Sequence, residues 1–317
     1  MQKVRDYITR ATQLTALSVW RLIKEKGFTS EDLLTEEESK IREKLIDQAG
    51  VDAMRTALTD VPFVLEVVGS EGRKHIHQYG EALPTLEGVF GSGNLRLDMV
   101  NDVVEGSKAA KLNISGAVSV IAVGSHKGLM PTPPDTDYMD KLFGPPELAG
   151  KISIDKPLEE NLAEVVGTFK VKPSEINVVM MDRDRNAHLI NAAQKFGVNL
   201  ILLKAGDFLP SILSCMSPAK HKKGIHLVVG IGGFEEGVMA AVAAKALDAV
   251  GEGKAWSPDK KINAKRWTNN DLVPGKKQDC FVSISAITGD NRWFDLLPHT
   301  TLTVSTDGVK IEQQLHR

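Results

Sequence analysis

Ile176-Asn-Val-Val-Met-Met-Asp-Arg-Asp-Arg-Asn-Ala-His-Leu-Ile-Asn-Ala-Ala-Gln-Lys-Phe-Gly-Val-Asn-Leu-Ile-Leu-Leu203 reads as strand, helix and strand within 28 residues. The predicted strands are Ile176 to Met181 and Val198 to Leu203, with a helix from Asn186 to Phe196 between them. The same rhythm extends outward. A helix over Leu158 to Phe169 precedes this unit, and a further helix, a strand (Ile225 to Gly230) and an Ala-rich helix from Glu235 follow it. Such alternation implies βαβ crossovers and a parallel sheet buried on both faces. A basic, polar connector from Gly253 to Lys277 then leads to predicted strands at Cys280 to Ile287, Leu302 to Ser305 and Val309 to Gln313.

Upstream the order is different. Val4, Tyr7, Ile8, Ala11 and Leu14 recur at helical spacing, and Gly27 offers a stop. Thr35 with Glu38 three residues on announces a second helix by the capping-box pattern, with an expected apolar stripe through Ile41, Leu45, Ala49 and Ala53. Short strand candidates follow at Phe63 to Val68, Gly88 to Phe90, Leu95 to Val100 and Ala117 to Val123. Helices first and strands after suit helices covering one face of a mixed or mostly antiparallel sheet. Residues 125–146, rich in Pro, Gly and Asp and without periodicity, read as one long loop of the kind that often carries function.

Composition narrows the function classes. Apolar residues make up 42% and charged residues 25% of 317, the profile of a globular protein. A net charge of −2 gives no basic field for nucleic acid or a membrane surface. No apolar run approaches the ~20 residues of a spanning helix, and Asp6 within the first helical pattern argues against a targeting segment. Cys215 and Cys280 suggest neither a disulfide framework nor a zinc site, which fits a reducing, cytoplasmic setting.

The segment Leu97-Asp-Met-Val-Asn-Asp-Val-Val-Glu-Gly-Ser107 carries the most chemistry. It reads as a strand running out into a turn that bears Asp102 and Glu105, with Gly106-Ser107 opening a helix. Hard divalent cations take oxygen ligands, and Mg²⁺ is content with one or two carboxylates plus phosphate and water. A helix N-terminus offers backbone N–H groups to phosphate. Taken alone, the same residues also make an ordinary solvated turn and cap.

Other segments agree in order. They are Asp47-Gln-Ala-Gly-Val-Asp-Ala-Met-Arg55, Tyr138-Met-Asp-Lys-Leu142, Leu158-Glu-Glu-Asn-Leu162, Ser211-Ile-Leu-Ser-Cys-Met216, Gly230-Ile-Gly-Gly-Phe-Glu-Glu-Gly237 and Ser285-Ala-Ile-Thr-Gly289. With Asp102-Val-Val-Glu-Gly-Ser107, a relaxed Asp-Pro-Ile-Glu-Gly-Thr signature, this set resembles class II fructose-1,6-bisphosphatase, of the lithium-sensitive, metal-dependent sugar phosphatases. The resemblance implies an α/β fold of the αβαβα sandwich type, with a metal-binding domain over residues 1–150 and a substrate-binding domain over 151–317. It implies Mg²⁺ or Mn²⁺ as cofactor, with fructose 1,6-bisphosphate or sedoheptulose 1,7-bisphosphate losing its 1-phosphate, in a homo-oligomer. Asp47, Glu71, Asp102, Glu105 and Glu236 fall where metal carboxylates are expected. Ser107 replaces a Thr that helps orient the attacking water, and Glu71 is the other catalytic position. Glu105, Gly106 and Ser107 would hold the scissile phosphate; Tyr138, Arg183, Asp184, Arg185, Asp207 and Gly233 fall at sugar and distal-phosphate positions.

Departures are equally specific. Where the family has an acidic Gly-Glu-Gly-Glu-x-Asp-Glu stretch, this chain has Gly69-Ser-Glu-Gly-Arg-Lys-His-Ile-His77, with Arg73 and Lys74 in place of carboxylates. The sugar-binding Asp-Gly-Asp has become Ala205-Gly206-Asp207. A catalytically eroded homologue kept as a binding or assembly subunit is therefore the alternative. His75 and His77 share a strand face but lack a third ligand nearby. Gly230-x-Gly-Gly-x-x-x-Gly237 has the wrong spacing for a dinucleotide fingerprint, and Glu235 and Glu236 would repel a pyrophosphate.

Overall fold

The computed structural model describes residues 1–30, 33–70, 84–133, 136–221, 223–257 and 265–313. The chain divides into two compact units, Met1–Pro131 with Gln278–Arg317, and Thr132–Lys277. The expected boundary at residue 150 therefore moves upstream, and the last strands return to the first unit. The fold class is α/β, with one mixed sheet and its own helices in each unit.

In the first unit, helix α1 (Gln2–Glu25) buries Val4, Ile8, Ala11, Val19 and Ile23, and Gly27 (φ +65°) ends it. Helix α2 (Glu36–Thr59) starts at the expected capping box: the Thr35 side chain accepts from the Glu38 N–H at 3.2 Å and the Thr35 N–H donates to the Glu38 carboxylate at 2.9 Å. Its buried face is Ile46, Asp47, Gly50, Val51, Met54 and Leu58, whereas Ile41 and Leu45 are exposed. The apolar stripe had been set on the wrong side because Gly50 carries no hydrophobicity to mark the true one. A Cβ at Gly50 would stand 3.3 Å from Val103 Cβ and Val104 Cγ2, so the helix backbone lies directly on those side chains.

The first sheet runs β13-β12-β11-β4-β3-β1-β2. Its strands are β1 (Val64–Ser70), β2 (Val89–Phe90), β3 (Arg96–Glu105), β4 (Val118–Ser125), β11 (Phe281–Ala286), β12 (Thr300–Ser305) and β13 (Gly308–Gln313). Only the β1–β3 pairing is parallel. Helix α1 packs across β11, where the Thr12 hydroxyl meets the Ser283 and Ser285 hydroxyls at 2.8 and 2.9 Å. Helix α3 (Ser107–Lys111) follows β3 directly.

The second unit contains the predicted rhythm: α4 (Leu158–Phe169), β6 (Asn177–Met181), α5 (Ala187–Phe196), β7 (Asn199–Leu203), α6 (Phe208–Ser214), β8 (Ile225–Gly233) and α7 (Phe234–Ala246). Strands β8, β6 and β7 are parallel neighbours. The rest of that sheet is antiparallel, in the order β10-β9-β5-β8-β6-β7, so it is mixed. Strand β5 (Tyr138–Gly144) occupies the end of the expected long loop; β9 (Val250–Trp256), β10 (Trp267–Thr268) and α8 (Asn269–Leu272) extend into the expected connector. Antiparallel strands need no crossover helix, so they leave no alternation in the sequence. No helix among the described residues is long and apolar enough to cross a membrane.

Candidate active site

Asp102 and Glu105 are three apart, and on a regular strand they would face opposite sides. Strand β3 continues through both, rather than breaking into the expected turn, and it carries a bulge between them. Asp102 pairs with Val120 and Glu105 with Val118, two residues apart on β4, so the extra residue returns both carboxylates to one face. Both are buried. Asp102 Oδ1 accepts from the Val104 N–H at 3.0 Å, which fixes its carboxylate.

Asp47 reaches this strand end from α2. On that helix Glu43, Asp47 and Gly50 lie one above another. Glu43 accepts the Ser107 hydroxyl at 3.2 Å and pairs with Lys111 at 2.7 Å, while Gly50 rests on Val103 and Val104. Asp47, only 8% exposed, lies between Glu43 and Gly50 on the buried face of α2. The structure thus places Asp102, Glu105, Gly106 and Ser107 together at the end of β3, with Asp47 on the buried face of α2, the helix that packs on β3 and α3. Glu43, which sequence reasoning missed, sits one helical turn before Asp47. Glu71, His75 and His77 lie outside the described residues. The oxygen-only donor set, held on two elements and largely out of water, fits a hard divalent cation.

Among the described residues the one group of three metal-ligand-type side chains whose donor atoms lie within 4.8 Å of one another is Glu66, Asp98 and His126; Asp47, Asp102 and Glu105 are not drawn together that closely. Asp98 ties the turn after β4 to β3, accepting the Gly128 and Leu129 N–H groups at 2.8 and 3.1 Å, and His126 Nδ1 lies 3.3 Å from its other oxygen. Nothing in the sequence pattern had marked this group.

In the second unit, the start of β5 lies beside the end of β8, with Tyr138 opposite Gly233. The Arg185 guanidinium stacks on the Tyr138 ring at 4.6 Å, and its Nε donates to the Ile231 carbonyl at 3.2 Å. Asn186 holds that loop in place, accepting from the Ile231 N–H at 2.8 Å and donating to the Met181 carbonyl at 3.0 Å. Arg183 is exposed and donates to the Lys204 carbonyl; Asp184, also exposed, opens a short 3₁₀ turn.

Beneath them, Asp207 is buried and accepts from Lys141 Nζ at 2.8 Å, with Glu236 Oε2 3.6 Å from the same ammonium. Burial chiefly, and the neighbouring Glu236, push the Asp207 carboxyl up to about 6 against the pull of Lys141. The Gly233 N–H donates to Glu236 Oε2 at 3.3 Å. Tyr138, Arg185, Asp207, Gly233 and Glu236 therefore come together within this unit, with Arg183 and Asp184 on the adjoining loop.

Residues 34–289 match the family model described as bacterial fructose-1,6-bisphosphatase, glpX-encoded. The chain is 32% identical over 220 residues to a D-fructose 1,6-bisphosphatase class 2/sedoheptulose 1,7-bisphosphatase of Synechococcus sp., covering 67% of this chain and 62% of that protein. It is 33% identical over 205 residues to a fructose-1,6-bisphosphatase 1 class 2 of Escherichia coli, covering 64% of this chain and 57% of the relative. The matched region thus spans about three fifths of those relatives. With the model matched over most of the sequence, from α2 to the end of β11, the chain belongs to the bacterial, glpX-encoded fructose-1,6-bisphosphatase family.

Proposed function

We propose that this protein hydrolyses the 1-phosphate of fructose 1,6-bisphosphate, and of sedoheptulose 1,7-bisphosphate as a second substrate, in the cytoplasm as a Mg²⁺- or Mn²⁺-dependent homo-oligomer. The observation that carries the reading is the bulged end of β3, which sets Asp102 and Glu105 on one face immediately before Gly106-Ser107. Asp47, Glu71, Asp102, Glu105 and Glu236 are the carboxylates we assign to divalent cations. Bound divalent ions would supply charge neutralisation at the phosphate and leaving oxygen and would make water a better nucleophile.

The chain's own residues then do the positioning. Ser107 donates its proton to Glu43, so its oxygen lone pairs are directed to accept from the attacking water. The water oxygen forms the new P–O bond, the bond from phosphorus to the C1 oxygen breaks, and a water proton ends on that oxygen. Tyr138 and Gly233 are assigned to the sugar, and Arg183 and Arg185, with Asp184 between them, to the distal phosphate. Arg185 is stacked and has its Nε committed to Ile231, which orients its remaining donors as a fork suited to phosphate.

The deciding assay is phosphate release from fructose 1,6-bisphosphate with Mg²⁺ or Mn²⁺. Wild type is expected to release phosphate only with the metal, and Glu236→Ala to abolish it. No release from either bisphosphate, with no metal binding by calorimetry, would establish the eroded-subunit alternative. Arg185→Met keeps an apolar stem over Tyr138 but loses the donors. It is expected to raise KM about 10- to 100-fold, the worth of one or two charge-assisted hydrogen bonds, with a much smaller change in kcat. An unchanged KM removes Arg185 from the phosphate site.

A further inference from the structure

Glu66 of β1 and Asp98 of β3 are register partners in a parallel pair, so both side chains stand on one face of the first sheet. On its other side Asp98 is paired with Gly124 of β4. A Cβ at Gly124 would meet Leu129 Cδ2 at 2.6 Å, so the missing side chain lets the turn after β4 fold back over this face. The Gly128 N–H closes that turn on the Ser125 carbonyl at 2.9 Å. Folded this way, the turn brings His126 Nδ1 to 3.3 Å from Asp98 Oδ1 and 3.8 Å from Glu66 Oε2.

Asp98 is held as a ligand is held. Its side chain is 2% exposed, and Oδ2 accepts the Gly128 and Leu129 N–H groups at 2.8 and 3.1 Å, which fixes the carboxylate plane. Oδ1 accepts no hydrogen bond from the described residues; His126 Nδ1 stands close to it without the alignment of a ring N–H donor. A buried carboxylate oxygen without a donor is costly. A cation shared with the imidazole and the second carboxylate removes that cost.

The spacing fits one class of ion. Zn²⁺ and its first-row neighbours take imidazole nitrogen and carboxylate oxygen at about 2.0–2.2 Å, which sets adjacent donors roughly 3–3.5 Å apart. The His126–Asp98 separation already lies in that range, and a small rotation of the half-buried Glu66 closes the other. Imidazole suits Zn²⁺, whereas Mg²⁺ prefers oxygen alone. Asp98 and Asp102 share a face of β3 but stand four residues apart, about 13 Å of strand. One ion does not span both.

We propose that Glu66, Asp98 and His126 form a second cation site, for a divalent ion of the Zn²⁺ type, which staples the turn after β4 to β1 and β3. The site goes beyond the phosphatase reading and does not depend on it. Three protein ligands leave a position for water. Arg96 is the competitor: its Nη2 lies 3.5 Å from Glu66 Oε2, on a half-exposed side chain that is free to swing away.

The test is Zn²⁺ calorimetry on the full chain without substrate, in saturating Mg²⁺ so that oxygen-only sites are filled. Wild type is expected to bind Zn²⁺, and a His75→Ala, His77→Ala double variant to retain that binding. Losing an outer-sphere partner costs about 10- to 100-fold in metal affinity, so losing a ligand in His126→Ala or Glu66→Gln should cost roughly 100-fold or more. Arg96→Gln should act in the opposite direction, about two- to fivefold tighter, the range an exposed ion pair is worth. Zn²⁺ should also raise the melting temperature of wild type and not that of His126→Ala. His126 is exposed and Glu66 half-buried, so at least one of the two ligand variants is expected to fold, and either carries the test.

No Zn²⁺ binding by wild type overturns the site, and so does unchanged affinity in folded His126→Ala or Glu66→Gln. Binding lost only in the His75→Ala, His77→Ala variant overturns it as well. Phosphate release enters none of these outcomes, so the site and the enzymatic reading stand or fall separately.

Discussion

Asp102→Asn is expected to lower metal-dependent phosphate release by about three orders of magnitude, with the melting temperature within a few degrees of wild type. Asparagine is nearly isosteric, and its carbonyl oxygen can still accept the Val104 N–H that Oδ1 now accepts at 3.0 Å. The bulge and the pairing to Val120 therefore have no reason to change. What disappears is one negative charge on the strand face that Asp102 shares with Glu105. A divalent cation stabilises phosphoryl-transfer charge by several kcal/mol, and about 4 kcal/mol corresponds to roughly a thousandfold in rate. Mn²⁺ titration of the variant should show the matching loss of affinity. If Asp102→Asn retains more than a tenth of wild-type turnover at the same metal concentration, the end of β3 does not hold the catalytic ion. The metal-binding assignment of the first unit would then fail even with the family membership intact.

Much of the fold was legible because its signals are local. The Thr35–Glu38 capping box is satisfied within four residues, and the helix it announces begins where expected. The helix over Leu158 to Phe169 and the strand–helix–strand around Arg183 likewise carry their own periodicity. What escaped was set by partners distant in sequence. Strand β5 lies among Pro- and Asp-rich residues and becomes a strand because β8 and β9 flank it. The exposed Ile41 and Leu45 drew the apolar stripe of α2 to the wrong face, because the true face includes Asp47 and Gly50, a site residue and a close-approach glycine. A helix face that carries a buried carboxylate for chemistry reads as polar, so the pattern is least faithful where function sits.

The candidate site divides in the same way. Asp102, Glu105 and Ser107 were found as a motif read as a turn, yet the strand continues through both carboxylates, where regular geometry would set them on opposite faces. The bulge that reunites them is visible only in the pairing with β4. Tyr138, Arg185 and Gly233 are separated by up to 95 residues, and their meeting depends on the order of strands in the second sheet. Glu43 belongs to no motif, and Lys141, though inside the Tyr138–Leu142 segment, was assigned no role there. Burial and distance single them out: an ammonium enclosed by glycines, and a carboxylate that receives the Ser107 hydroxyl.

Gly106→Ala is expected to cost both stability and the geometry of the candidate site in the first unit. Gly106 joins β3 to α3 with φ at +85°, where an L-residue is strained by about 1–2 kcal/mol. The added Cβ would also fall 2.3 Å from the Gly116 carbonyl oxygen, a backbone atom that cannot rotate away, so the connection itself must move. Overpacking of this kind costs about 1–3 kcal/mol more. A combined loss of about 3 kcal/mol corresponds to roughly 6–12 °C in melting temperature for a unit of this size. The displacement falls on the residues that matter, since Glu105 precedes Gly106 and Ser107 follows it. Mn²⁺ affinity and turnover should therefore fall even at temperatures where the variant is fully folded. Gly116→Ala, also at positive φ but with only Ala109 Cβ at 3.5 Å from the added methyl, should share the backbone strain without the collision, losing less stability and keeping its metal affinity. Equal losses in the two variants would mean that the dihedral, not the close approach of the 106 and 116 backbones, governs this corner.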